Sequence, residues 1–117
     1  MHDVCLVLEN TYPKVTGGVS QWVHDLVGGL PEVDFAVAHL GAGGDAANAY
    51  RPPANVRSVD YLEADPQLGD APDGLDERLP DARVYHALST GLASAVAQRA
   101  AEERGGTFGL TEHGLAW

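Results

Sequence analysis

The sequence predicts an α/β domain, a doubly wound parallel sheet of about five strands in the order 3-2-1-4-5. Three observations support this. Near-continuous apolar runs of strand length recur along the chain, two intervening stretches switch to a helical period, and glycine or proline stands at nearly every junction.

The first run, Asp3 to Leu8 (DVCLVL), is apolar after its first residue, as expected for a strand covered on both faces. From Val19 the period changes. Val19, Trp22, Val23, Leu26, Val27 and Leu30 follow the i, i+3, i+4, i+7 spacing of one buried helix face. Gly28-Gly29 weaken that helix and Pro31 stops it, after which Val33 to Leu40 (VDFAVAHL) forms a second strand. A Gly-, Ala- and Pro-rich loop leads to a third, Asn55 to Leu62. Residues 63–81 are acidic, carry Pro66, Pro72 and Pro80, and hold few large apolar side chains, which predicts a mobile surface excursion. Arg83 to Leu88 (RVYHAL) is the fourth strand. Ser89-Thr90-Gly91 then opens a second helix with a small inward face of Leu92, Ala93, Val96, Ala97, Ala100 and Ala101. Gly105-Gly106 end it, and Thr107 to Thr111 (TFGLT) is the fifth strand.

Right-handed crossovers on such a sheet put strands one and four side by side, with their connections leaving in opposite directions. A crevice then opens at their carboxyl ends. The Gly17-Gly18 loop and the Ser89-Thr90-Gly91 turn face each other across it.

Bulk properties narrow the function. A chain of 117 residues, 44% hydrophobic and 21% charged, can bury one core and reads as a single domain spanning 1–117. No apolar run approaches the roughly 20 residues that cross a bilayer, and no secretory leader precedes the first strand, so a cytoplasmic protein is expected. Lone Cys5 sits within an apolar run and reads as a small buried hydrophobe. A formal charge of −10 argues against nucleic acid and anionic membranes as partners.

The first turn of a helix offers unpaired N–H groups, so both crevice turns suit a phosphate or a sugar hydroxyl. A tight turn needing positive φ is the competing reading of Gly17-Gly18. The dinucleotide fingerprint G-x-G-x-x-G is absent, and His39 stands where an acidic ribose ligand would be wanted. There is no Walker lysine motif and no G-x-S-x-G elbow. His24 falls on the polar side of the first helix. His86 and His113 lie at or near the carboxyl edge, where spacing alone leaves both a structural and a catalytic role open. No clustered carboxylate accompanies the histidines, so neither a metal nor another cofactor is expected.

The run TYPKVTGGVSQWVH, the HALSTG turn and TEHG, in that order, resemble the amino-terminal domain of PelF-type glycosyltransferases, a branch of glycosyltransferase family 4 with the GT-B fold. The resemblance spans nearly the whole chain except residues 63–81. It implies the Rossmann-like half of a retaining transferase that takes sugar from a nucleotide-sugar donor, with UDP-glucose expected, during exopolysaccharide synthesis. It further implies that Thr16, Gly17 and Gly18 approach the donor diphosphate, that His113 lines the sugar-transfer site, and that His86, Ser89, Thr90 and Glu112 face the saccharide acceptor and cleft.

Two departures accompany the resemblance. That branch usually carries a much longer insertion before the HALSTG turn, where residues 63–81 stand here. The carboxyl-terminal domain that holds most donor contacts in a GT-B enzyme is expected to be missing from the chain, which predicts a fragment inactive alone. The fifth strand then offers an edge for pairing with a second copy. Two other readings remain open at this point: a stand-alone flavodoxin-like binding or regulatory module, and half of a GT-B sugar-nucleotide epimerase.

Overall fold

A computed structural model describes residues 1–9, 18–41, 51–63, 74–89 and 91–111. The elements run β1 (His2–Glu9), α1 (Gly18–Gly29), β2 (Phe35–Gly41), β3 (Val56–Glu63), a short 3-10 turn (Asp76–Arg78), β4 (Ala82–Ala87), α2 (Leu92–Arg104) and β5 (Thr107–Leu110). All strand pairings are parallel, and the order is β3-β2-β1-β4-β5. This is the doubly wound Rossmann-like sheet that the alternation of periods predicts. Strand limits differ from expectation by one or two residues. β2 starts at Phe35 and not at Val33, because the Val33 N–H donates to the Leu30 carbonyl at 3.0 Å to close the turn after α1.

The period of two along each strand divides the core between the faces. Cys5, Val7, Ala36, Ala38, Tyr85 and Ala87 join the inward residues of α2 on one side. Leu6, Leu8, Phe35, Val37 and Leu88 meet Val23 and Val27 of α1 on the other. Asn55, just before β3, fastens the end of α1 to the sheet: its amide donates to the Val27 carbonyl at 2.8 Å and the Leu30 carbonyl at 3.0 Å. Each of these carbonyls also accepts a backbone N–H, from Leu30 and Val33 respectively, so Asn55 adds a second bond to both and ties the helix end to the start of β3.

Two expectations need correction. Trp22 and Leu30 share the apolar stripe of α1, yet they are 38% and 37% exposed. The buried residues Val23 and Val27 cover β1 and β2, whereas Trp22, Leu26 and Leu30 border a cavity on the side of β4. The second correction concerns the end of the acidic stretch. Residues 64–73 lie outside the described residues, but 74–81 do not form a simple surface excursion. Leu75, Asp76 and Leu79 are buried. Arg104 of α2 gathers this turn, its guanidinium donating to the carbonyls of Leu79 (2.9 Å), Glu77 (3.1 Å) and Pro80 (3.2 Å) and to Tyr85 Oη (2.8 Å). Arg99 adds an ion pair to Asp76 at 3.7 Å. Low apolar content misled here because one arginine can order several carbonyls at once.

Among the described residues, no helix is long and apolar enough to cross a membrane.

Candidate functional site

β1 and β4 are neighbours at the centre of the sheet, in a register that sets Leu6 beside His86 and Val7 beside Ala87. From β1 the chain proceeds through α1 to β2 on one side, and from β4 through α2 to β5 on the other. This reversal is the switch point at which open α/β sheets bind ligands. Both helices begin there.

Helix α1 starts at Gly18, with no acidic residue in its first turn. Helix α2 starts after Gly91, whose φ of 101° lies in the region that favours glycine. Neither a side-chain cap at Gly91 nor an acid in the first turn of α2 occupies its amino end. Instead, Glu9 at the carboxyl end of β1 reaches across. Ser89 Oγ donates a hydrogen bond to Glu9 Oε2, and Glu9 Oε1 lies 3.9 Å from where a Cβ on Gly91 would stand.

His86, three residues before Ser89, belongs to a different pair. Its Nε2 is 2.7 Å from Thr111 Oγ1, and its ring packs so closely on β5 that a Cβ on Gly109 would stand 2.5 Å from Nδ1. Burial pushes the His86 pKa below the usual histidine value, so the ring is neutral near pH 7. It borders an apolar cavity of about 300 Å³ together with Val4, Leu6, Val84, Trp22 and Leu26. His39, in the position a ribose ligand would take, is buried with its ring 5.7 Å from that of Tyr61. Cys5 is buried, and desolvation drives its thiol pKa up to about 12, consistent with an inert packing role.

Of the residues singled out in the sequence, Gly18, His86 and Ser89 are therefore described: Gly18 opens α1, Ser89 pairs with Glu9, and His86 pairs with Thr111. Thr16, Gly17, Thr90, Glu112 and His113 lie outside the described residues. Glu9 and Thr111 were missed as site residues. Glu9 had a readable signal, as the first polar residue after an apolar central strand, at the strand end where ligands bind. Among the described residues, no group of three metal-ligating side chains assembles.

The model of one family matches the chain over residues 2–78 and again over 71–116. The two stretches overlap inside the acidic segment before β4. No curated protein and no solved structure shows a significant match. With nearly every residue covered by that family model, the chain belongs to the family described as domain of unknown function DUF3492.

Proposed function

We propose that this chain is the amino-terminal, acceptor-side half of a retaining GT-B glycosyltransferase that uses a nucleotide-sugar, UDP-glucose, in cytoplasmic exopolysaccharide assembly. The observation that carries the reading is the switch point between β1 and β4, from which the chain proceeds through α1 and α2 to opposite sides and where Glu9 at the end of β1 pairs with Ser89 after β4. The ordered motifs TYPKVTGGVSQWVH, HALSTG and TEHG support it independently: in the sequence the first and last follow β1 and β5, and HALSTG begins in the last residues of β4.

In this reading the start of α1, with Thr16, Gly17 and Gly18, receives the donor diphosphate. Unpaired N–H groups and the positive end of the helix dipole stabilise the negative charge that grows on the diphosphate as its bond to the sugar breaks. His113 donates a hydrogen bond to the sugar under transfer, and Glu112, Ser89 and Thr90 line the acceptor side. His86 supports that side from β4. The second Rossmann-like domain of a GT-B enzyme supplies the remaining donor contacts.

Transfer of glucose from UDP-glucose to a saccharide acceptor, assayed with the chain joined to such a donor-binding domain, tests the proposal. Gly18→Val puts a branched side chain where N–H groups must meet phosphate, so donor use should collapse. His113→Ala should lower turnover by about 10²–10³-fold, by analogy with removal of an oxyanion donor, with little change in melting temperature. A His113→Ala protein that melts many degrees lower yet retains turnover per folded molecule would make the histidine structural. The assignment would then be withdrawn.

A further inference from the structure

A hollow lies on the α1 face of the sheet, between that helix and β4. Leu6 of β1 and Phe35 of β2 form its buried floor, whereas Trp22 and Leu30 stand at its rim, each more than a third exposed. Leu26 and Val84 wall it from α1 and β4, and it holds about 300 Å³. That volume reaches the range of small-molecule sites and exceeds the ~150 Å³ of apolar cavity that suffices for benzene.

Water gains little in such a place. A buried water needs about 2–4 hydrogen-bonding partners, and apart from the Trp22 indole at the rim the polar side chains here are His86 and Thr111, which bond each other at 2.7 Å. His86 Nδ1 is turned to β5, where a Cβ on Gly109 would stand 2.5 Å away. Thr111 Oγ1 is left to meet a ligand, because a hydroxyl keeps hydrogen-bonding capacity after one bond. Charge is disfavoured as well. Among the described lining residues His86 is the one ionisable group, and its burial favours the neutral ring. A carboxylate or ammonium drawn into the hollow would lose water and find no opposite charge.

A second copy of the chain fits this shape poorly. A two-fold contact sets one patch against itself, so hollow would face hollow and both floors would stay unfilled. The formal charge of −10 on each chain adds repulsion.

We infer that the hollow between α1 and β4 is a binding site for a small, uncharged, mainly apolar molecule, about the size of a substituted benzene ring, with a hydroxyl that bonds Thr111 Oγ1. Burial of the apolar body supplies the affinity, and Thr111 sets the orientation. The inference is independent of sugar transfer, since it uses the packing of one sheet face and no donor or acceptor contact.

The test follows valine and leucine methyl signals by nuclear magnetic resonance in the 117-residue chain. The probes are para-methylbenzyl alcohol, para-methylbenzoate and para-methylbenzylamine, which share one ring and differ in charge near neutral pH. The alcohol should shift Leu6, Leu26 and Val84 and leave Leu92 and Val96 of the α2 face in place. The anion and the cation should bind at least about tenfold more weakly. Val84→Phe puts a ring into the hollow and should abolish the shifts at Leu6 and Leu26. Thr111→Val keeps the side-chain shape, and should weaken the alcohol about fivefold while leaving toluene unchanged. Equal binding of the three probes, shifts spread over both faces, or a folded Val84→Phe that binds as the wild type does overturns the inference. The wild-type charge series decides the matter even if Val84→Phe does not fold. Thr111→Val that weakens toluene as much as the alcohol would overturn the part given to the hydroxyl. Shifts of the same methyls on raising the protein concentration, with no probe added, would give the hollow to a second copy and overturn the inference too.

Discussion

Helix α2 meets the sheet through Leu92, Ala93, Val96, Ala97, Ala100 and Ala101, all buried, whereas α1 buries Val23 and Val27 on the opposite face and leaves Trp22 and Leu30 more than a third exposed beside a cavity of about 300 Å³. The difference starts with side-chain size. Four alanines let the α2 backbone lie close to Cys5, Val7, Tyr85 and Ala87, and Arg104 then ties its last turn to the segment before β4. The larger residues of α1 rest on β1 and β2, and its stripe runs past them toward β4 without a matching surface. Close packing and slack thus occupy opposite faces of one sheet. His86, the described histidine that sequence motifs singled out, borders the slack side.

Large-to-small substitutions should expose this contrast most strongly. Leu92 is fully buried at the start of α2, so Leu92→Ala should destabilise the fold by about 2–5 kcal/mol through lost transfer energy and an unfilled cavity. Leu26 already borders open volume. Its replacement by alanine should cost less than half as much, because fewer contacts are lost and no closed void is made. Urea denaturation of both variants measures the difference, and an equal or larger loss at Leu26 would break the comparison.

Small-to-large changes should give opposite signs on the two faces, with smaller magnitudes. Ala97 has no exposed surface, and Ala97→Leu must push α2 away from the sheet at about 1–3 kcal/mol. Val84 faces the cavity. Val84→Leu adds one methylene to unfilled space and should be neutral to about 1 kcal/mol stabilising. Thermal melts that show both variants destabilised alike would mean that the cavity is no more tolerant than the α2 interface.

Much of this arrangement is legible in the residues. Unbroken apolar runs mark β1 and β2 because strands covered on both faces have no polar side to show, and the spacing of Val23 and Val27 marks the side of α1 that packs. What periodicity cannot show is how far a neighbouring surface extends. Trp22 and Leu30 obey the helical spacing yet overhang a gap, since the pattern describes one helix and burial depends on its partner. The burial of Leu75 and Leu79 was hidden for a related reason: the group that orders that turn is Arg104, 25 residues after Leu79. At the crevice, the glycine that opens α2 was readable from local chemistry, as Gly91 has a φ of 101°. The Glu9–Ser89 bond spans 80 residues and follows only once β1 and β4 are known to lie side by side.

The smallest expected effect is electrostatic and again belongs to the α1 face. Burial against β5 and the cavity wall disfavours the imidazolium form of His86, so its pKa in the fold lies below the ordinary value near 6.5. Between those two values the unfolded chain binds more protons at this residue than the folded chain. Stability contributed by neutral His86 is therefore present in full above pH 6.5 and is lost as pH falls through the window down to the lowered pKa; below that the slope disappears. His86→Gln removes the titration while leaving an amide able to bond Thr111 Oγ1, so the difference in unfolding free energy between wild type and variant should rise with pH across this window and stay flat above it. Urea denaturation at a series of pH values measures that difference directly, with the remaining ionisable groups common to both proteins. A difference that is flat through the window would show that the fold does not lower the pKa of this ring. A difference that falls as pH rises would reverse the sign and mean that His86 gains an anionic partner in the fold.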